Sequence, residues 1–113
     1  MQRLPKQIVP TAQLTAAAVT YATAPASTDY EIGAATATNV TGTTRTVTVY
    51  LVASAGTAGS TNIVVQTRTV PANQSVQLWE IIGQKMPAGA TLQALASAAS
   101  AINLTVGGYS TTT

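Results

Sequence analysis

Arg45-Thr-Val-Thr-Val-Tyr-Leu-Val52 is the stretch from which the fold is read. In an extended chain successive side chains point to opposite faces, so Val47, Val49 and Leu51 share one side and Thr46, Thr48 and Tyr50 the other. The residues are β-branched or aromatic almost throughout, which suits a half-buried pleated surface. Thr41-Gly-Thr-Thr44 before it is a turn signal. Ser54-Ala-Gly-Thr-Ala-Gly-Ser-Thr61 after it is a loop of small residues.

Working outward, the period of two persists. Downstream, residues 62–70 form a β-rich run, Pro71-Ala-Asn-Gln74 turns the chain, and Ser75-Val-Gln-Leu-Trp79 alternates again. Upstream, Val19-Thr-Tyr21 begins a short strand closed by Pro25-Ala-Ser-Thr28. Tyr30, Ile32, Ala34 and Thr36 then share a face of a long strand running toward Val40. Residues 83–89 make a second long connection. Thr91 to Ala98 also fits a helical stripe through Leu92, Leu95, Ala96 and Ala99, but its glycine-flanked setting among strands favours a strand. Ile102, Leu104 and Val106 give the last strand, which Gly107-Gly108 is expected to end before a polar threonine tail. No helix is required beyond a turn near residues 80–84.

Seven or eight short strands with turn signals about every 8–12 residues predict an all-β fold, an antiparallel β-sandwich. Jelly-roll and Ig-like connectivity both remain open. The expected organisation is an N-terminal arm over 1–15, one sandwich domain over 16–110 and a polar tail over 111–113. Pro5 and Pro10 are expected to keep the arm from regular pairing, so that it lies across a neighbouring subunit or hangs free.

Composition narrows the function. Charged residues are 7% of the 113, against about 25% in an ordinary soluble domain, and Thr, Ser, Gln and Asn stand in their place. A surface so poor in charge is hard to keep monomeric, which points to cover by further copies or by a partner. Phe is absent and one Trp and four Tyr supply the rings, so the core is built from Val, Ile, Leu and Ala. The net charge of +2 comes from five scattered bases, without the dense footprint of a nucleic-acid binder. No stretch reaches the roughly 20 apolar residues of a membrane span, and the first ten residues lack the apolar core of a signal peptide.

Reactive groups are few. With no Cys and no His, disulfides, thiolate zinc sites and imidazole catalysis drop out. Asp29, Glu31 and Glu80 are the three acids. Asp29 and Glu31 lie two apart on a strand, where a solvated edge that discourages stray pairing explains them better than a glycosidase pair across a cleft. Gly56-Thr-Ala-Gly59 lacks the Lys-Ser/Thr element of a phosphate loop. Neither Lys6 nor Lys85 stands at a recognisable spacing from a serine. The sequons at Asn39, Asn73 and Asn103 are of the kind chance produces in a Thr-rich chain. No enzyme, cofactor, metal or small-molecule substrate is expected. Trp79, on the face of Gln77 and opposite Val76 and Leu78, is either a cap on one end of the sandwich or an interface or sugar-stacking anchor.

Tyr21-Ala-Thr-Ala-Pro-Ala-Ser-Thr28, Ala37-Thr-Asn-Val-Thr-Gly-Thr43, Thr46-Val-Thr-Val-Tyr-Leu-Val52 and Leu104-Thr-Val-Gly-Gly108 together resemble phrases of a group of small virion proteins of tailed phages. The most specific is Gly83-Gln-Lys-Met-Pro-Ala-Gly-Ala-Thr-Leu-Gln-Ala-Leu-Ala-Ser-Ala-Ala99. The likeness spans roughly four-fifths of the chain and carries no active site. It implies a β-sandwich accessory protein of the particle, made in the bacterial cytoplasm and located in the virion. The expectation drawn from it is a capsid decoration (cement) protein, a homo-oligomer and most simply a trimer, bound to the major capsid protein. Arg3, Leu4, Ile8, Val9 and Trp79 are the expected assembly contacts. The alternatives are a tail or head–tail connector component and a carbohydrate-binding module.

Overall fold

Nine strands run through residues 3–112, the part of the chain that the computed structural model describes. Met1, Gln2 and Thr113, the outermost residues of the expected arm and tail, lie outside the described residues. The strands are β1 (Arg3–Gln13), β2 (Val19–Thr23), β3 (Thr28–Asn39), β4 (Arg45–Val52), β5 (Ile63–Val70), β6 (Ser75–Gln77), β7 (Lys85–Met86), β8 (Thr91–Ala96) and β9 (Ile102–Thr112). No helix occurs among the described residues. A front sheet has the order β1-β9-β3-β6, with β7 also paired to β3, and a back sheet has the order β2-β8-β4-β5.

The antiparallel pairs β4·β5, β3·β6, β2·β8 and β1·β9 are nested, as in one long hairpin whose tip is the loop between β4 and β5. Rolling that hairpin sets β9 beside β3 and β8 beside β4. This is jelly-roll connectivity. The β-sandwich read from the sequence is present, and strand order decides between its two possible connectivities.

The core lies between the two inner faces. Val47, Val49, Leu92 and Ala94 project from the back sheet and Ile32, Ala35, Leu104 and Val106 from the front, all buried. Full burial of one such Leu or Ile side chain contributes about 1.5–3 kcal/mol. The alternation of β4 holds for Val47 and Val49. Thr48 points the other way yet is also buried, because a bulge in β5 folds over it and the Thr67 N–H donates to its Oγ1 at 3.2 Å.

Four expectations change. Residues 3–13 are not an unpaired arm but an edge strand along β9. Prolines are tolerated there because an edge can do without N–H groups on its free side, and Pro10 falls at a register shift. The face Tyr30, Ile32, Ala34, Thr36 breaks at Gly33, the extra residue of a bulge opposite Gly107 and Gly108. Beyond it the buried set moves to Ala35, Ala37 and Asn39. Gly107 and Gly108 do not end β9, which continues to Thr112. Finally, Asp29 and Glu31 are not on an edge: β3 pairs there with β9 on one side and with β7 on the other.

Among the described residues Asn39 is one of two buried polar side chains, and it clips the sheets together. Its Nδ2 donates to the carbonyls of Thr43 (2.8 Å) and Val70 (3.0 Å), and its Oδ1 accepts from the N–H (2.9 Å) and Oγ1 (2.7 Å) of Thr41. Four partners leave this amide satisfied. They also close the first sequon to glycosylation in the folded chain.

The outer edges are all blunted. β1 carries Pro5, Lys6 and Pro10, β2 is five residues long, and β6 is three. β5 is bulged at Thr67, whose φ of 44° is a strained value for a β-branched residue. Short, bulged or proline-bearing edges resist the addition of a foreign strand.

Candidate assembly surface

The outer face of the front sheet changes character along its length. At one end it carries charge. Arg3 pairs with Glu31 at 3.1 Å and lies over the Tyr109 ring at 4.2 Å, while Lys85 pairs with Asp29 at 3.0 Å. The Ala88 N–H donates to the other Asp29 oxygen at 3.1 Å. The two acids that sit side by side on β3 are thus each matched with a separate cation. The third acid, Glu80, pairs with Arg68 at 3.0 Å across the side of the sandwich where β5 faces the turn after β6. Among the described residues no three acids gather into a metal-binding group.

The middle of this face is bare. Gly33, Ala34, Gly107 and Gly108 floor a shallow groove of about 310 Å³ between Pro5 and Tyr109. Two of these glycines have opposite reasons to lack a side chain. A Cβ on Gly108 would run into the Glu31 carbonyl, so the close approach of β3 and β9 at the bulge requires glycine. A Cβ on Gly107 would meet nothing within 4 Å. A side chain would fit at that position, so Gly107 leaves the face bare without steric need; strand glycines often mark a bulge or a place of close approach.

Beyond the groove the face is uncharged and hydroxyl- or amide-bearing. Strand register sets Thr105, Thr36 and Gln77 side by side, and Thr11 joins the row by a 2.9 Å bond to Thr105. The next row is Gln13, Asn103, Thr38 and Ser75, with Gln13 bonded to Asn103 at 3.3 Å and Thr38 to Ser75 at 2.8 Å. Neighbouring strands are about 4.8 Å apart, so the two rows make a flat polar panel without a formal charge.

The expected contact residues separate. Leu4 is 48% and Trp79 65% exposed, and both are available to a partner. Arg3 is exposed but engaged with Glu31 and Tyr109. Ile8 and Val9 are buried in the domain's own core, because the β1 bulge turns two consecutive residues inward. The sequence reading missed Tyr109 and the Gly33–Gly107 groove. The available signal was the β-prone run Tyr109-Ser-Thr-Thr112, which would not follow a terminating turn.

A second concavity lies at one end of the sandwich. It encloses about 300 Å³ between the end of β4 and the β7–β8 connection, lined by Leu51, Val52, Met86, Pro87, Ala88 and Ala90 among others. Gly89, at φ 84°, lets that connection pass close to Ser54.

In comparisons with protein-family models, with curated proteins and with solved structures, this chain finds no match.

Proposed function

We propose that this chain is a structural protein of a tailed-phage particle, a capsid decoration protein that docks on the major capsid protein through the outer face of its front sheet. The observation that carries this reading is the division of that face: a bare groove beside an uncharged hydroxyl and amide panel, with its charges already paired at one end. Such a face can be covered without burying an unpaired charge, which would cost several kcal/mol per ion. Jelly rolls recur in viral capsid and lectin domains, a fold-level analogy in keeping with the phrase likeness to small virion proteins. The mechanism is binding alone: each copy covers a seam between capsomers, oligomers sit at local three-fold positions, and repetition over many sites supplies avidity.

The test is co-sedimentation with undecorated shells of the encoding phage, with stoichiometry from mass measurement. Saturation at three copies per local three-fold, lost in Gly107→Arg, is the expected result. A five-, six- or twelve-fold ring that ignores shells would move the protein to the tail or connector. Retention on glycan arrays would favour the third reading, for which the polar panel and Tyr109 supply the chemistry of sugar recognition.

A further inference from the structure

Trp79 is the only tryptophan of the chain and, among the described residues, the most exposed large apolar side chain, at 65%. Its position is fixed from both sides. The Leu78 N–H donates to the Ala35 carbonyl at 3.0 Å and the Leu78 side chain is fully buried, while Ile81 is buried three residues on. The turn is therefore anchored by two core residues and holds the indole outward between them. A flexible loop would let an indole fold back onto the surface; this one cannot do so cheaply.

The same chain carries a cavity suited to such a ring. The 300 Å³ pocket at the end of the sandwich is walled chiefly by apolar atoms of Leu51, Val52, Met86, Pro87, Ala88 and Ala90. Trp79 does not line it. The β6–β7 connection runs along β3, with Leu78 bonded to Ala35 and β7 paired at Tyr30 and Glu31. Knob and pocket thus stand several residues apart along one flank and do not meet within one copy. Each has a neutralised ion pair beside it, Glu80 with Arg68 next to the knob and Lys85 with Asp29 at the pocket rim. Docking would bury no isolated charge.

We infer that Trp79 of one copy seats in the Leu51–Met86–Ala90 pocket of the next copy, so that the chain associates head to tail. An indole buries about 150–250 Å², and a single tryptophan in an apolar pocket is the usual form of an interface hot spot. Knob and pocket are different surfaces, so the contact is heterologous. It closes into a ring when the rotation between copies divides a full turn, and a closed ring leaves no knob unfilled. This deepens the assembly reading above by naming the contact between copies, and it stands or falls separately from capsid binding.

The test uses the whole chain without capsids. Wild-type protein is expected to form a closed ring in sedimentation, with tryptophan emission shifted to the blue and shielded from iodide, moving to the red on dilution. Trp79→Ala removes the knob and Ala88→Arg blocks the pocket; both positions are at the surface, and circular dichroism checks that the sandwich persists. Each variant alone is expected to run at one chain mass, 11.4 kDa, with association weakened roughly thirtyfold or more. An equimolar mixture retains one intact knob and one intact pocket, so it is expected to give a heterodimer and nothing larger. A wild-type monomer with exposed indole at all concentrations overturns the inference and leaves shell binding to be judged on its own assay. A ring that survives either variant, or a mixture that stays monomeric, overturns it as well. A ring obeying these rules that ignores shells sinks the capsid reading alone.

Discussion

The front and back sheets use strand-breaking residues differently. In the back sheet they stand between strands: Thr41-Gly-Thr-Thr44 precedes β4, and Gly56 and Gly59 lie in the loop that follows it. In the front sheet Pro5, Pro10, Gly33, Gly107 and Gly108 all lie inside strands. There they blunt an edge, admit a bulge or leave the face bare. A glycine or proline therefore turns the chain only where no neighbouring strand holds it in line. Where β9 is clamped between β1 and β3, two consecutive glycines fail to stop it.

The largest effects test whether the front sheet is as integral as the back. Leu104 and Leu92 are fully buried at the centres of the two sheets, and truncation of either to Ala is expected to cost about 2–5 kcal/mol. Urea denaturation should find the two losses alike. A front sheet that is merely a docked arm would give a much smaller loss at Leu104.

Neighbouring glycines sharpen the contrast within β9. Gly108→Ala sets a Cβ against the Glu31 carbonyl and is expected to destabilise by about 3 kcal/mol. Gly107→Ala enters open space and should stay within about 0.5 kcal/mol of wild type. Thermal melts of the pair decide it, and equal losses would mean that the bulge at Gly33 is misplaced.

A modest effect of the opposite sign lies in the back sheet. The front-sheet bulge of β3 carries glycine, whereas the β5 bulge holds Thr67 at φ 44°. Relief of such strain is worth about 1–3 kcal/mol, and glycine's extra chain entropy costs about 0.5–1 kcal/mol. Thr67→Gly is thus expected to stabilise by about 1 kcal/mol, read as a higher urea midpoint. A fall in the midpoint would show that the threonine side chain contributes more than its backbone loses.

These contrasts also explain what could be read in advance. β4 was legible because β-branched and apolar residues fill Arg45 to Val52, and β8 because Leu92, Ala94 and Ala96 alternate inward beside a competing helical stripe. The long pairing of β1 with β9 was not, since each strand carries residues whose local preference opposes it and only tertiary pairing overrides that preference. Ile8 and Val9 looked like a surface pair because a strict period of two places adjacent residues on opposite faces; a bulge suspends that rule. Asn39 gave no sign beyond its sequon, because a buried amide is recognised only by the carbonyls that surround it. The exposure of Trp79 was legible, because the lone tryptophan stands on the polar side of an alternating run. The pocket at the end of the sandwich was not, as Leu51 and Val52 lie more than thirty positions from Met86 in the sequence.

The nested hairpin has one more consequence. Arg3 pairs with Thr111, so the two ends of the described chain lie side by side on one rim of the front sheet. Any segment attached before the one or after the other would leave from the same corner. A short linker across that corner, with a cut in the exposed loop around Thr57, gives a circular permutant that begins at β5 and ends at β4. Every strand pair would be retained, and the two new termini would sit at the former hairpin tip, beside the pocket at the end of the sandwich. The order in which a gene spells these strands is thus separable from the order in which they pack, and a reporter can be carried at either end of the roll.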